Sequence, residues 1–175
     1  MGESEDIDIK RYAERHKEEL QDSDFRGADL QGADLTLANL HKATLTGANL
    51  QGAELMSANL QWANLHRANL QGADLRSADL RDANLKDTCL ADAYLRGANL
   101  KGADFRGADL RGADLDFATF PLWCGGTKFK ADDRLVAQVL AHLCSLDVSD
   151  RAREELNKVL EFAKTSHIAE ECGIL

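Results

Sequence analysis

Leucine recurs at every fifth position through most of this chain, and alanine stands two positions before nearly every leucine. The segment ANLQWANLHRANLQGADLRSADL, residues 58–80, shows the pattern without interruption. An α-helix advances about 100° per residue, so a period of five scatters the leucines around its axis. A β-strand alternates faces with a period of two, so an odd period sends successive leucines to opposite faces. Neither regular element therefore collects these leucines on one side.

A repeating turn does collect them. Twenty units follow one another without insertion or deletion if the leucine or phenylalanine is taken as the centre of each unit, from Phe25 to Phe120. A chain that turns in the same sense once per unit aims every centre inward, and stacked turns can pair through backbone hydrogen bonds about 4.8 Å apart. The predicted interior includes the centres Phe25, Leu30, Leu50, Leu70, Leu90, Leu110 and Phe120.

The polar positions of the unit suit a corner. Asp or Asn usually precedes the centre, where its side chain can bond nearby backbone groups. Glycine often stands two positions after the centre and tolerates a positive φ. The period by itself leaves open how many units close one coil.

The tandem motif A(D/N)LXX, from Ser23 to about Leu122, resembles the pentapeptide-repeat family. This resemblance implies a right-handed, four-sided β-helix with four repeats per coil. Twenty units would then form five coils, about 24 Å long at strand spacing. The fold expected is an all-β solenoid with helical caps.

The flanks divide the chain into three segments: 1–22, 23–122 and 123–175. A helix is predicted from Asp6 to Leu20, and helical spacing after residue 130 predicts a C-terminal α-helical region. Because the two ends of a solenoid have unpaired backbone groups and an exposed apolar interior, both regions are expected to cap it. The alternative for the C-terminal helices is a dimerisation or partner surface. The predicted apolar stripe of the first helix is Ile9, Tyr12, Ala13, His16 and Leu20.

The net charge of the chain disfavours some classes of binding partner. The 175 residues include 30 acidic and 21 basic ones, a net charge of −9. This balance disfavours direct nucleic-acid binding and anionic membrane surfaces. The N-terminus has no signal-peptide pattern, and the four cysteines show no pairing pattern. We therefore expect a cytoplasmic protein, a monomer or weak dimer, whose partner is an unknown protein.

No catalytic motif is recognisable, so we expect no enzyme activity and no cofactor. Only one set of residues offers metal-ligand chemistry, and His142 and Cys144 within it lie two apart on a predicted helix, on different faces. Packing within a small helical domain is favoured over a zinc site on these spacings. The set is Cys124, His142, Cys144, His167 and Cys172.

With four units per coil, residues twenty apart would stack into columns. One acidic column is Asp34, Glu54, Asp74 and Asp114, interrupted by Tyr94. Solvated surface is the favoured interpretation of such charge stripes. Apolar residues at outward positions form the candidate interaction surface, and either the N-terminal helix or a partner is expected to cover the first three of them. These residues are Leu37, Met56, Trp62 and Tyr94.

The leading functional hypothesis is a non-enzymatic scaffold for protein–protein interaction. The alternative comes from a subgroup of the family, whose members resemble B-form DNA and protect type II topoisomerases from quinolones. Arg76, Arg96 and Arg111 beside the acidic column, the small number of coils and the residues after the repeats all weigh against this mimicry. An enzyme in the C-terminal helices is the least favoured hypothesis.

Overall fold

The computed structural model describes residues 8–119. Helix α1 spans Ile9–Arg15 and is followed by a single 3-10 turn, Lys17–Glu19. Asp8 caps α1, since its side chain accepts a hydrogen bond from the N–H of Arg11 (3.1 Å). The predicted helix to Leu20 is therefore too long at its C-terminal end. The predicted interior residue Phe120 and the predicted C-terminal helices lie outside the described residues.

The five-residue turn begins at Leu20. The carbonyl of each centre accepts a hydrogen bond from the N–H three residues later, as in Leu20–Ser23 (3.2 Å) and Leu45–Ala48 (3.0 Å). The second residue after every centre, from Asp22 to Phe117, has a positive φ, whereas the residue before it does not. This combination defines a type II turn. The repeat thus starts one unit before the sequence pattern, which is obscured because Glu18 replaces the usual alanine.

Parallel bridges join residues twenty apart, from Asp24–Thr44 to Asn99–Thr119, so four units complete one coil. Each unit contributes a single bridging residue, because the turn occupies the remainder of the unit. We name the four faces by their first centres: face A by Phe25, face B by Leu30, face C by Leu35 and face D by Leu40. Each face comprises the five-residue units centred on these positions and on those 20, 40, 60 and 80 residues later.

Three backbone hydrogen bonds connect a unit to the corresponding unit of the next coil. Leu30 N–H donates to the Asn49 carbonyl (2.8 Å), and Asn49 N–H donates back to the Ala28 carbonyl (2.9 Å). The corner adds a third, from Gly32 N–H to the Gln51 carbonyl (2.9 Å). The side chain before the centre also closes the turn, as the Oδ1 of Asn49 accepts from Gln51 N–H (3.3 Å). The short units are thus held in register by bonds to both neighbouring coils.

The interior is a continuous column of leucine and alanine. Phe25 is 5% exposed, and the other predicted interior centres within the described residues are fully buried: Leu30, Leu50, Leu70, Leu90 and Leu110. One polar side chain, Thr88, is buried at a position usually held by alanine. Its hydroxyl donates to the Leu65 carbonyl (2.8 Å), so no hydroxyl is left unsatisfied there.

The N-terminal segment lies against the open end of the first coil. In later coils, the N–H of the residue that precedes the centre donates to a carbonyl of the preceding coil, as the N–H of Glu54 does to the carbonyl of Ala33 (2.9 Å). In the first coil the N–H of Asp34 instead donates to the Glu14 carboxylate (3.1 Å). On face D, Asn39 N–H similarly donates to the Lys17 carbonyl (2.7 Å). The segment therefore supplies acceptors that a further coil would otherwise provide.

The predicted apolar stripe of this helix is only partly buried. Ala13 and Leu20 are fully buried, whereas Ile9 and Tyr12 are 44% and 45% exposed. The Tyr12 ring stacks on His16, with centroids 4.3 Å apart. The prediction fails for Ile9 and Tyr12 because α1 is short and meets the column end mainly through polar contacts.

At three successive corners near the C-terminal end of the described repeats, an aspartate side chain lies against the glycine that occupies the same corner one coil later. A Cβ added to Gly107 would overlap the carboxylate of Asp87, one coil earlier. On the same corner of face A, a Cβ added to Gly47 would meet nothing within 4 Å. At these three corners, a side chain larger than that of glycine would have to displace the neighbouring aspartate as well as adopt a positive φ. The pairs are Asp82–Gly102, Asp87–Gly107 and Asp92–Gly112.

Candidate interaction face

Leu37 and Met56 form an exposed apolar corner on face C. Leu37 is 71% exposed and Met56 is 40% exposed. The N–H of Leu37 donates to the carbonyl of Met56 (3.0 Å), so the two residues belong to the same corner in successive coils. The coil register therefore places side by side two apolar residues that are nineteen positions apart in the sequence.

Trp62 lies at a different corner, on face D, and is 58% exposed. Its N–H donates to the Arg81 carbonyl (3.0 Å), and its column neighbours are Lys42 and Asp82. The candidate interaction surface is thus divided between two corners. The N-terminal helix leaves both Leu37 and Trp62 exposed, so the hypothesis that it covers them is wrong.

The backbone at Leu37 and Trp62 is unfavourable for large side chains. Their φ angles are 62° and 60°, and Phe117 has 59°. A left-handed conformation costs a residue with a Cβ roughly 1–2 kcal/mol. Nine equivalent corners carry glycine instead. The fold thus has no need of bulky apolar residues at these positions.

Tyr94 interrupts the acidic column on face C. It forms backbone bridges to Asp74 and Asp114, and its side chain is exposed (53% for the residue). The Asp74 carboxylate forms an ion pair with Arg76 (2.5 Å). Within the described residues, Asp114 accepts a hydrogen bond from Asp116 N–H (3.1 Å) and has no ion pair. The exposed ring therefore lies between a carboxylate that is neutralised by Arg76 and one that has no ion pair within residues 8–119.

The other two members of the acidic column also differ. Asp34 forms an ion pair with Lys17 (2.7 Å), and this hydrogen bond is the main cause that lowers the pKa of Asp34. Glu54 has no ion pair with any residue between 8 and 119. Within the described residues, two of the four column carboxylates are therefore in ion pairs, and the other two, Glu54 and Asp114, are not.

The sequence D-(L/F)-R consistently produces an ion pair within one unit. The Asp precedes the centre and the Arg follows it, so both side chains lie on the same face two residues apart. In the Asp74–Arg76 pair, the guanidinium hydrogen bonds lower the pKa of Asp74 and raise that of Arg76. The other four pairs of this type are Asp24–Arg26, Asp79–Arg81, Asp104–Arg106 and Asp109–Arg111.

Charge and exposed apolar side chains are distributed unequally among the faces. Face C carries five carboxylates and two guanidinium groups, whereas face A carries three carboxylates and four cationic side chains. Face C also carries most of the exposed large apolar residues of the described repeats. It is therefore both the more acidic and the more apolar of these two faces. Its exposed apolar residues are Leu37, Met56, Tyr94 and Phe117.

Comparison with known proteins agrees with this architecture. The profile described as pentapeptide repeats, in eight copies, matches residues 19–55, 58–93 and 88–121. The protein belongs to the pentapeptide-repeat family. The resemblance inferred from the A(D/N)LXX motif is thus confirmed. The family fold is a right-handed quadrilateral β-helix, in agreement with the twenty-residue register of the bridges.

Solved pentapeptide-repeat structures match the repeat region. HetL of Nostoc sp. strain PCC 7120, a protein involved in heterocyst differentiation regulation, is 35% identical with a TM-score of 0.51. The match covers 59% of this chain and 57% of the HetL chain. The alr5209 protein of Nostoc PCC 7120 is 33% identical with a TM-score of 0.50, over 64% of this chain and 99% of that one. No curated protein sequence matches the chain.

Other site chemistry is sparse in the described part of this pentapeptide-repeat protein. Between residues 8 and 119, no three His, Cys, Asp or Glu side chains are grouped to hold a metal ion. The five residues considered in the sequence as possible metal ligands, Cys124 to Cys172, lie outside the described residues. No helix within them is long and apolar enough to cross a membrane.

Proposed function

We propose that this pentapeptide-repeat protein is a non-enzymatic scaffold that binds another protein through face C. The observation that supports the proposal is the grouping of Leu37, Met56, Tyr94 and Phe117 on the face with the largest excess of carboxylates. Large aromatic and apolar side chains commonly supply most of the affinity of a protein interface. Leu37 and Phe117 also occupy strained corners, where a surface without a function has no reason to keep them.

A rigid surface suits this role. Every coil between the two ends is bonded to both neighbours, and the interior leaves no room for rearrangement, so side chains on face C project from a fixed frame. A preorganised surface loses little conformational entropy on binding. We assign the N-terminal segment a capping role because Glu14 and Lys17 accept hydrogen bonds from the first coil. Capping by residues 123–175, a cytoplasmic location and a monomeric or weakly dimeric state remain predictions.

Site-specific photo-crosslinking in the native host tests the proposal. A photoreactive amino acid at Met56 or Tyr94 on face C should capture another protein. The matched controls are Thr46 and Asn84, which occupy the same unit positions in the same coils on face A. Crosslinks to one protein from face C alone are expected. Equal crosslinking from faces A and C would contradict the assignment of face C.

The alternative hypothesis, mimicry of DNA toward a type II topoisomerase, gains no support from the surface charge. DNA presents an unbroken series of negative charges, whereas face A carries an excess of cationic groups. On face C, Tyr94 interrupts the carboxylates, and Asp34 and Asp74 are paired. A supercoiling assay with added quinolone tests the alternative directly. We expect the added protein to give no protection.

A further inference from the structure

We infer that the occupant of face C is a basic amphipathic α-helix of the partner protein. The helix would place apolar side chains on the Leu37–Met56 corner and an Arg or Lys against Tyr94 and Asp114. This inference rests on the proposed function and specifies the chemistry of the partner. Three features of the described residues support it: a cation site, an apolar site and the distance between the two.

The cation site consists of the Tyr94 ring and the Asp114 carboxylate. An exposed aromatic ring attracts a cation to its face, and a neighbouring carboxylate adds a charge-assisted hydrogen bond. Asp114 lies one coil beyond Tyr94 and has no ion pair within residues 8–119. Arg96, the nearest guanidinium in sequence, instead lies over the Phe117 ring, 5.1 Å from its centroid. Within residues 8–119 no cationic side chain pairs with Asp114, so a cation from outside can bind there against the Tyr94 ring.

The apolar site is the Leu37–Met56 corner. A partner side chain placed there would remove two exposed apolar groups from water, which is the usual source of affinity at an interface. Glu54 lies in the same unit as Met56 and also lacks an ion pair within the described residues. A second basic residue of the partner can therefore lie beside the apolar contact.

The spacing of the two sites fits a helix. Met56 and Tyr94 are the residues of the two sites that lie nearest each other along the solenoid, and their units are two coils apart, about 10 Å along the solenoid axis at strand spacing. Seven residues of α-helix span about 10.5 Å and bring the side chain back to the same face. An extended peptide repeats same-side contacts about every 6.8 Å, which does not match two coils. The partner helix would therefore lie along the solenoid axis, with its apolar and basic residues seven positions apart.

The test uses a synthetic peptide and the isotopically labelled full-length protein. The peptide is a helix-forming sequence of about 18 residues, long enough to be helical, with leucine at positions i and i+4 and arginine at i+7 and i+8. Its control has glutamine in place of both arginines. Titration followed by NMR should shift the amides of Met56, Tyr94 and Asp114, and should leave face A unchanged. The glutamine peptide should bind more weakly than the arginine peptide. Added salt should weaken the binding of the arginine peptide to the protein.

Two variants locate the cation site. Tyr94→Ala and Asp114→Asn should each weaken binding about two- to fivefold, the range for exposed cation–π and ion-pair contacts. Asp29→Asn is the matched control, because Asp29 occupies the same unit position on face B and also accepts the N–H two residues later (3.2 Å). Asparagine retains that acceptor, so the fold should persist in both Asp variants.

The outcomes separate this inference from the proposed function. No binding of the arginine peptide, equal binding of the glutamine peptide, or an equal loss in Asp29→Asn would overturn the basic helix. Self-association of the protein through face C, detected by sedimentation, would overturn it in favour of a second copy. If face C alone forms crosslinks in the host and the peptide does not bind, the scaffold proposal stands and only the helix inference fails.

Discussion

Faces A and C share one backbone and one interior, and they differ in what they present to solvent. Their centres are equally buried: Leu45 on face A and Leu55 on face C are both fully inaccessible. Outside, face A carries charges that largely neutralise one another, whereas face C combines exposed apolar side chains with an excess of carboxylates, some of which have no ion pair within residues 8–119. The difference shows that the fold constrains the inward positions of each unit and leaves the outward positions free for function.

The largest expected effect tests whether the two interiors are equivalent. Leu45→Ala and Leu55→Ala should each lower the free energy of unfolding by about 2–5 kcal/mol, because both leave a cavity in the same column. Gln71→Ala, at an outward position, should cost less than about 0.5 kcal/mol. Denaturant melts measure all three. A loss confined to one face would show that the column is not packed uniformly.

The next largest expected effect is the loss of stability when a corner glycine of face A is replaced by alanine. Gly47→Ala should cost about 1 kcal/mol, because alanine is strained at a φ of 67°. Gly107→Ala should cost at least about 1 kcal/mol more, because its Cβ would overlap the Asp87 carboxylate. In an Asp87→Ala background the two glycine substitutions should become equivalent in thermal or denaturant melts. A persistent difference would mean that the aspartate is not the cause.

Two substitutions to glycine are expected to stabilise the fold slightly, and they separate residues that affect only stability from residues that also affect partner binding. Leu37 on face C and Arg67 on face A have φ angles of 62° and 57° at equivalent corners. Replacing either with glycine removes the left-handed strain and should raise the free energy of unfolding by about 0.5–1 kcal/mol. Only Leu37→Gly should also reduce photo-crosslinking to the partner. A loss of crosslinking in both variants would remove the distinction between the faces.

The smallest expected effect is on the pH dependence of the free energy of unfolding in acid. Hydrogen bonds from Arg106, with a further contribution from Lys86, hold the pKa of Asp104 on face A well below its ordinary value of 3.8. The unfolded chain binds this proton at a higher pH than the folded chain does. The contribution of the pair to stability is therefore complete above about pH 4 and decreases as the pH falls towards 2.

Asp104→Asn should make the dependence of unfolding free energy on pH shallower over this range. The comparison variant is Asp114→Asn on face C, since no cation pairs with Asp114 within the described residues, and it should change the slope less. Denaturant melts at several pH values measure both slopes. Equal changes in the two variants would show that the ion pair is not responsible.

Part of the candidate site could be recognised in the sequence. Leu37, Met56, Trp62 and Tyr94 interrupt a strict pattern, so their outward positions follow from the period. Once four units are assigned to each coil, the period also divides Leu37, Met56 and Trp62 between two neighbouring sides, whereas the hydrogen bond from Leu37 N–H to the Met56 carbonyl is seen only in the structure. One partner of the acidic column could not be predicted from the period: Lys17, which pairs with Asp34, lies before the repeat region.

The sequence by itself determined the inward and outward phase of the units centred on Phe25 to Leu115 and, through its motif, the family. This was possible because the decisive burial is local: each five-residue turn directs its own leucine inward. The tertiary structure alone decided the start of the repeat at Leu20, the short length of α1 and the aspartate-over-glycine contacts. These features depend on hydrogen bonds and contacts between residues about twenty positions apart, whose geometry is fixed only when the coils stack.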